Sequence, residues 1–306
     1  MTGSLIVLGA TGAIGSRVVA AAVAAGRPVI AIARDEAALL ALRERHAAAD
    51  LVMLPASVAS DGDAATLVAQ LRGLGRPVAG VVAAICGDCG RGRLLDQPAE
   101  FLRRRLDEDL LPHLFAARHL LPLLAEHGHG GYVLIGGPGA EQPWAGYGHR
   151  SIGAAALRML ARVLHDEARA FPVRVQLLAV DSPVRTDDNA RHACTTWPSA
   201  DSIARRALAM LETQGQPQPT QAIVPYASHP LGFDLWSDDI DRETQPATRA
   251  PKLTASTPSA AAIPTPSQET ERSTALLPAR YLQDARALLR SLGAPNPNPN
   301  QETSPR

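Results

Sequence analysis

The glycine run Gly9-Ala10-Thr11-Gly12-Ala13-Ile14-Gly15 is the first place in this chain where residue type and spacing imply chemistry. It follows the apolar stretch Leu5–Leu8 and opens a helical pattern, the context that gives such a run meaning. Gly9 permits a sharp turn out of a strand, Gly12 lets the backbone approach a pyrophosphate, and Gly15 lets a helix pack close to a sheet. The N–H groups at that helix start form an anion site. A tight strand–helix turn without a ligand is the plainer alternative. The second apolar stretch, Val29–Ala33, is followed by Arg34 rather than by a carboxylate. A carboxylate would accept from a ribose 2′-OH and repel a 2′-phosphate, whereas an arginine offers the phosphate a planar fork of donors. Arg17, in the first turn of the first helix, can assist. The pair favours NADP(H) over NAD(H), an ordinary solvated loop arginine being the alternative for Arg34.

Cys86-Gly87-Asp88-Cys89 has the spacing of redox dithiols and of half a zinc site, and His192 and Cys194 lie further along the chain. One such pair without a second is a weak signal. We therefore expect no metal, with Cys86 a small buried residue and Cys89 an incidental loop thiol.

The elements that must position these residues alternate in period. Strands are expected at Leu5–Leu8, Val29–Ala33, Leu51–Leu54, Val78–Ala84, Tyr132–Ile135, Val173–Ala179 and Ala222–Pro225. Between them lie helical segments such as Ser16–Ala25, Glu36–Ala48, Asp63–Leu74, Ala99–Glu126 and Ile152–Ala170. Strands apolar throughout and separated by helices predict an α/β fold, a doubly wound parallel sheet of about seven strands in one domain. The expected domain spans residues 1–229. A Pro/Thr/Ser-rich linker follows at 230–273, then an isolated amphipathic helix at 274–293 and a disordered tail at 294–306.

Composition narrows the function. The chain has 306 residues, 46% of them apolar, and a net charge of zero, which favours neither nucleic acid nor an anionic membrane as a partner. Three cysteines build no disulfide framework, no apolar run is long enough to span a bilayer, and no charged leader precedes Leu5. A cytoplasmic protein is expected. Of its 30 basic residues only Lys252 is a lysine.

These residues resemble the short-chain dehydrogenase/reductase family over approximately 3–229. Ile135-Gly136-Gly137, Pro143, Gly146, Ala155-Ala156-Leu157, Leu160, Arg162, Leu164 and Glu167 lie without a gap against the family's strand, loop and long helix. Pro183-Val184-Arg185-Thr186 resembles the segment that closes over nicotinamide, where Thr186 stands for the residue that contacts the carboxamide. The resemblance implies a cofactor-binding set of Gly9, Thr11, Gly12, Ile14, Gly15, Arg17, Arg34, Val58 and Thr186. In the same register Gly137 stands where the family has its catalytic serine, Arg150 where it has the tyrosine acid, Ala154 where it has lysine, and Asp109 where it has the supporting asparagine. Ser57 replaces an aspartate that faces the adenine, and Val180-Asp181 replaces a Pro-Gly.

Nicotinamide supplies a hydride, but the protein must move a proton to or from the alcohol oxygen. Tyrosine does so when a nearby cation lowers its pKa. Glycine and alanine cannot, and a guanidinium holds its proton too firmly to act as an acid. Tyr147 and His149 are the fallback acids, with a loop aromatic and a solvated histidine as their plain readings. Shifting the register to Tyr147 would put Ser151 in the lysine position and misplace Leu157, Leu160 and Leu164. Arg150 and Arg158 share a helical face, where they hold a ligand anion or simply meet solvent and neighbouring carboxylates.

The functional expectation is an NADP(H)-binding protein with a degenerate active site, acting as a sensor, a scaffold or a partner subunit. It forms a homo-oligomer or pairs with a homologue, because Ala99–Glu126 and Ile152–Ala170 resemble the family's dimer faces. The alternatives are an NADPH-dependent reductase that uses Tyr147 or His149, and a non-redox cyclase or isomerase acting on a small molecule.

Overall fold

The computed structural model describes residues 3–87, 90–128, 130–212 and 221–226. The expected linker, isolated helix and tail lie outside the described residues, as do Cys89 and Lys252.

Seven parallel strands form one sheet: β1 (Ser4–Leu8), β2 (Val29–Ala33), β3 (Leu51–Pro55), β4 (Val78–Ala83), β5 (Gly130–Ile135), β6 (Val173–Ala179) and β7 (Ile223–Pro225). Their order is β3-β2-β1-β4-β5-β6-β7, so the direction of winding reverses between β1 and β4. A doubly wound sheet opens its ligand crevice at that reversal, beyond the carboxyl ends of the strands.

The apolar runs become strands because both faces of the sheet are covered. Ile6, Leu8, Ile30, Ile32, Val81 and Leu134 face one core, closed by Leu67 and Leu71 of α3 (Asp61–Gly73), Leu120 and Leu124 of α5 (Leu111–Glu126) and Leu157 of α6 (Gly148–Glu167). Leu5, Val7, Val29, Ala31, Val82 and Val133 face the other, closed by Val18 and Val19 of α1 (Gly15–Ala24), Leu39 and Leu42 of α2 (Glu36–Arg45) and Ile203 and Ala207 of α7 (Ala200–Glu212). Successive side chains of a strand point to opposite faces, and a fully buried Leu, Ile or Val stabilises the fold by about 1.5–3 kcal/mol.

Two differences from the sequence expectation bear on the site. Ala99–Glu126 is two helices, α4 (Ala99–Asp109) and α5, broken at Leu110 (φ −109°, ψ −54°) just before Pro112. Proline lacks the N–H that a continuous helix would need there, and is at home in a first turn. The sixth helix begins at Gly148 rather than Ile152, which draws Arg150 into its first turn. α7 is an element that the sequence reading does not mark.

Capping separates the helices. Asp35 caps α2 by accepting the Ala38 N–H at 3.0 Å, and Ser60 caps α3 by accepting the Asp63 N–H at 3.1 Å. No side chain caps α1 or α6, and neither has an acid in its first turn. Both helices start at the carboxyl edge of the sheet. Among the described residues no helix is long and apolar enough to cross a membrane.

Candidate functional site

The glycine run occupies the reversal point between β1 and β4. Gly9 takes φ +72°, and a side chain there would overlap the carbonyl oxygen of Ala84 at the end of β4. A Cβ on Gly15 would overlap the Gly9 carbonyl and lie 2.8 Å from its carbon, so α1 can approach the strand only without one. Gly12 donates its N–H to Gly9 O at 3.0 Å, and a Cβ on Gly12 meets only that same oxygen, at 3.3 Å. The loop therefore curls back on itself and presents the uncapped start of α1 outward. Thr11 and Ile14 are on this loop, with Ile14 the residue that precedes the helix.

Arg34 is exposed at the end of β2, and the adjacent Asp35 carboxylate is engaged in capping α2. Val58 is half-buried against the core beside Ser57, whose Oγ accepts the Ala59 N–H at 3.0 Å. Arg17 is engaged with carboxylates. Its guanidinium pairs with Asp187 and lies 3.7 Å from Asp201 in the first turn of α7. That ties the glycine-run helix to the segment after β6. Thr186 lies next to Asp187, where its N–H donates to Asn189 Oδ1 at 2.8 Å while Asn189 Nδ2 donates to Val184 O at 2.8 Å. Asn189 is thus the side chain that shapes the Thr186 loop. Asparagine's ability to bond nearby backbone was its only sequence signal.

A second group of residues gathers beyond the ends of β4 and β5. Asp109, last in α4, accepts the Gly87 N–H at 2.6 Å. His113, one turn on in α5, is fully buried with Nε2 at 3.3 Å from Ile85 O. Two side chains therefore hold the Ile85–Gly87 loop, and His113 was not foreseen. Its desolvated imidazole resists protonation, which pushes its pKa down to about 4 despite the Ile85 carbonyl. Arg150 Nη2 lies 3.2 Å from the exposed Cys86 Sγ, so the guanidinium faces the same loop. The expectation that Cys86 is buried is corrected: beyond the strand end it has no sheet neighbour to cover it. Ala154 is half-buried one turn further along α6. Gly137, just past β5, has nothing within 4 Å of where a Cβ would stand.

The remaining side chains near this edge divide by contact. Tyr147 precedes α6 and stacks on Trp144, with ring centroids 4.4 Å apart at 29°. His149 is 1% exposed and meets Phe101 of α4 edge-on at 5.0 Å. It belongs to the packing of α4 on α6 and is not a solvated histidine. Arg158 is buried and pairs with Glu141 of the loop after β5 and Asp181 of the loop after β6. It meets carboxylates rather than solvent, and so joins two edge loops to α6. Cys194 Sγ lies 3.1 Å from Thr196 Oγ1. Among the described residues no group of three His, Cys, Asp or Glu is placed to hold a metal.

Comparison with known proteins agrees with this architecture. The family model described as Enoyl-(Acyl carrier protein) reductase, of the short-chain dehydrogenase type, matches residues 9–226. No curated protein matches the sequence. Among solved structures, a short-chain dehydrogenase from Streptomyces avermitilis is 23% identical with a TM-score of 0.63, the match covering 74% of this chain and 89% of that one. A short-chain type dehydrogenase/reductase from Mycobacterium ulcerans is 21% identical with a TM-score of 0.63, over 69% of this chain and 83% of that one. A short chain dehydrogenase from Burkholderia cenocepacia, in complex with NADP, is 16% identical with a TM-score of 0.62, over 74% and 89%. At these identities the likeness is one of fold. With the family model spanning most of the chain, the protein belongs to the short-chain dehydrogenase/reductase family.

Proposed function

We propose that this protein binds a nicotinamide dinucleotide, NADP(H) in preference to NAD(H), and does not run the family's standard oxidoreductase step. It acts instead as a sensor, scaffold or partner subunit. The dinucleotide fits the residues present. A Cβ at Gly9 or Gly15 would fill the turn, the uncapped start of α1 offers N–H donors to a pyrophosphate, and exposed Arg34 stands where a 2′-phosphate needs a cation. The NADP held by the Burkholderia cenocepacia neighbour supports the same reading. Thr11, Gly12 and Ile14 line the loop on the pyrophosphate side, Val58 lies toward the base and Thr186 toward the nicotinamide. Arg17 contributes by holding Asp187 and Asp201 rather than by touching phosphate directly.

Bound nicotinamide supplies or accepts a hydride; proton movement falls to the protein. One observation carries the proposal: the guanidinium of Arg150 is turned to the Cys86 loop, with Ala154 one turn away. Neither side chain moves a proton, and Gly137 adds none. The space around Gly137 would admit a serine, so packing does not impose the glycine. Asp109 is committed to the Gly87 N–H as a loop brace. A reductase with Tyr147 as its acid is the second reading, favoured by the position of Tyr147 at the start of α6.

Titration of the full chain with NADPH and NADH, followed by cofactor fluorescence, tests the binding half. NADPH is expected to bind more tightly, and Arg34→Glu to reverse the preference. Failure to bind either dinucleotide overturns it.

A further inference from the structure

We propose that a cavity at the amino edge of the sheet, between the ends of α1 and α2, binds a small apolar monocarboxylate. The site stands apart from the dinucleotide crevice. α1 opens at the glycine run and ends at this cavity, so its 10 residues, about 15 Å of helix, separate the two.

The turns that lead from α1 to β2 and from α2 to β3 enclose a cavity of about 540 Å³. Small-molecule sites run from about 300 to 1,000 Å³, so the space suits an organic ligand. Part of its wall is apolar, formed by Val23 and the three successive methyl groups of Ala47, Ala48 and Ala49.

The polar part of the wall carries cations. Arg27 follows Gly26, whose φ of +68° turns the chain out of α1, and lines the cavity. Its Nη1 is closed off from water and has no acceptor among the described residues. A charged donor left unmet is costly, and an acceptor on a ligand removes that cost. Arg45, in the last turn of α2, and His46, the residue after it, line the same space. The Nε–H of Arg45 donates to Ala41 O at 3.3 Å, a bond that uses one of the five guanidinium donors.

Charge selects the ligand. Two acids also line the cavity, and Asp50 is neutralised by Arg76 at 2.7 Å, while Glu44 is exposed. Three arginines thus stand against two carboxylates, and a singly charged anion matches the surplus. Both helices end here, and their carbonyl ends add partial negative charge. A dianion such as a phosphate monoester meets that field and Glu44 at twice the penalty. A carboxylate takes two guanidinium donors in parallel, and the methyl wall covers an alkyl body.

Hexanoate, hexanamide and hexyl phosphate titrated into the full chain, with amide chemical shifts followed by NMR, test the site. Hexanoate is expected to bind with a Kd of about 1 mM or below and to move the resonances of residues 23–27 and 44–50, with or without NADPH. Hexanamide keeps the shape and loses the charge, and is expected to bind at least about tenfold more weakly; hexyl phosphate is expected to be weaker than hexanoate. Arg27→Gln should weaken hexanoate by about tenfold to a hundredfold, and Arg27→Lys, which keeps the charge but loses the fork, by an intermediate factor. Ala48→Trp, at an exposed position of the wall, should fill the cavity and abolish the shifts, and it decides if Arg27→Gln does not fold. Absence of hexanoate binding at millimolar concentration, hexanamide or hexyl phosphate binding as tightly as hexanoate, shifts confined to the glycine run, or indifference to Arg27→Gln and Ala48→Trp overturns the proposal.

Discussion

Acidification should remove stability from this fold through one buried imidazole. His113 is 0% exposed, its Nε2 bonds only the Ile85 carbonyl, and its Nδ1 has no partner among the described residues. Desolvation lowers its pKa from 6.5 to about 4, so the folded protein refuses a proton that the unfolded chain accepts. A depressed folded pKa means that stability is complete above the unfolded value and is lost as the pH falls toward the folded one. At about 1.4 kcal/mol per pH unit the full loss approaches about 3 kcal/mol, and about 2 kcal/mol is gone by about pH 5. Against a typical total of about 5–15 kcal/mol this is a large fraction. Urea unfolding followed by circular dichroism at about pH 7.5 and about pH 5 measures it, with His113→Leu as the comparison. Leucine does not titrate, so the variant should lose about 2 kcal/mol less between the two pH values than the native chain. Equal losses in both proteins would refute the reasoning, because the acid sensitivity would then come from elsewhere.

Tyr132, buried in β5, has a hydroxyl without a partner among the described residues, and burial pushes its phenol pKa up. An unmade buried hydrogen bond costs about 1–3 kcal/mol, so Tyr132→Phe should leave the thermal midpoint unchanged or raise it. Gly15→Ala should destabilise the fold by about 2 kcal/mol or more, because its methyl meets the Gly9 backbone, whereas Gly137→Ser should fall within about 0.5 kcal/mol of the native chain. Chemical denaturation of the two variants side by side checks both. Arg158→Met should cost about 1 kcal/mol, read by the same method, since it leaves Glu141 and Asp181 without their shared cation; both carboxylates are exposed, and water screens the loss.

The sheet was legible in the sequence because its strands are buried on both faces. Runs such as Leu5–Leu8 and Val29–Ala33 have no polar residue to mistake for an exposed edge. The glycine run was legible for a similar reason, since the backbone at Gly9 and Gly15 admits nothing larger. What the sequence concealed is long-range pairing. Arg17 reads locally as a phosphate ligand, yet its partners are Asp187 and Asp201, far along the chain on the opposite side of the reversal point. Arg150 and Arg158 share a helical face, but Arg150 lies near the start of α6, beside the Cys86 loop. Arg158 lies two turns deeper, between Glu141 and Asp181. His149 follows Tyr147 closely in sequence, and helical rotation still sends it into the packing against Phe101. His113 sits in the apolar run Leu110–Ala117, where a lone histidine reads as core, and only the fold shows the Ile85 carbonyl above it.

The proposal that no proton donor serves a bound nicotinamide is tested most directly by incubation with NADPH and a broad panel of ketones, aldehydes and enoyl substrates. A missing general acid lowers such a rate by about 10²–10⁴-fold, so the predicted result is cofactor binding without measurable NADPH oxidation. Steady oxidation of NADPH that disappears on Tyr147→Phe would contradict it and identify the tyrosine as the acid.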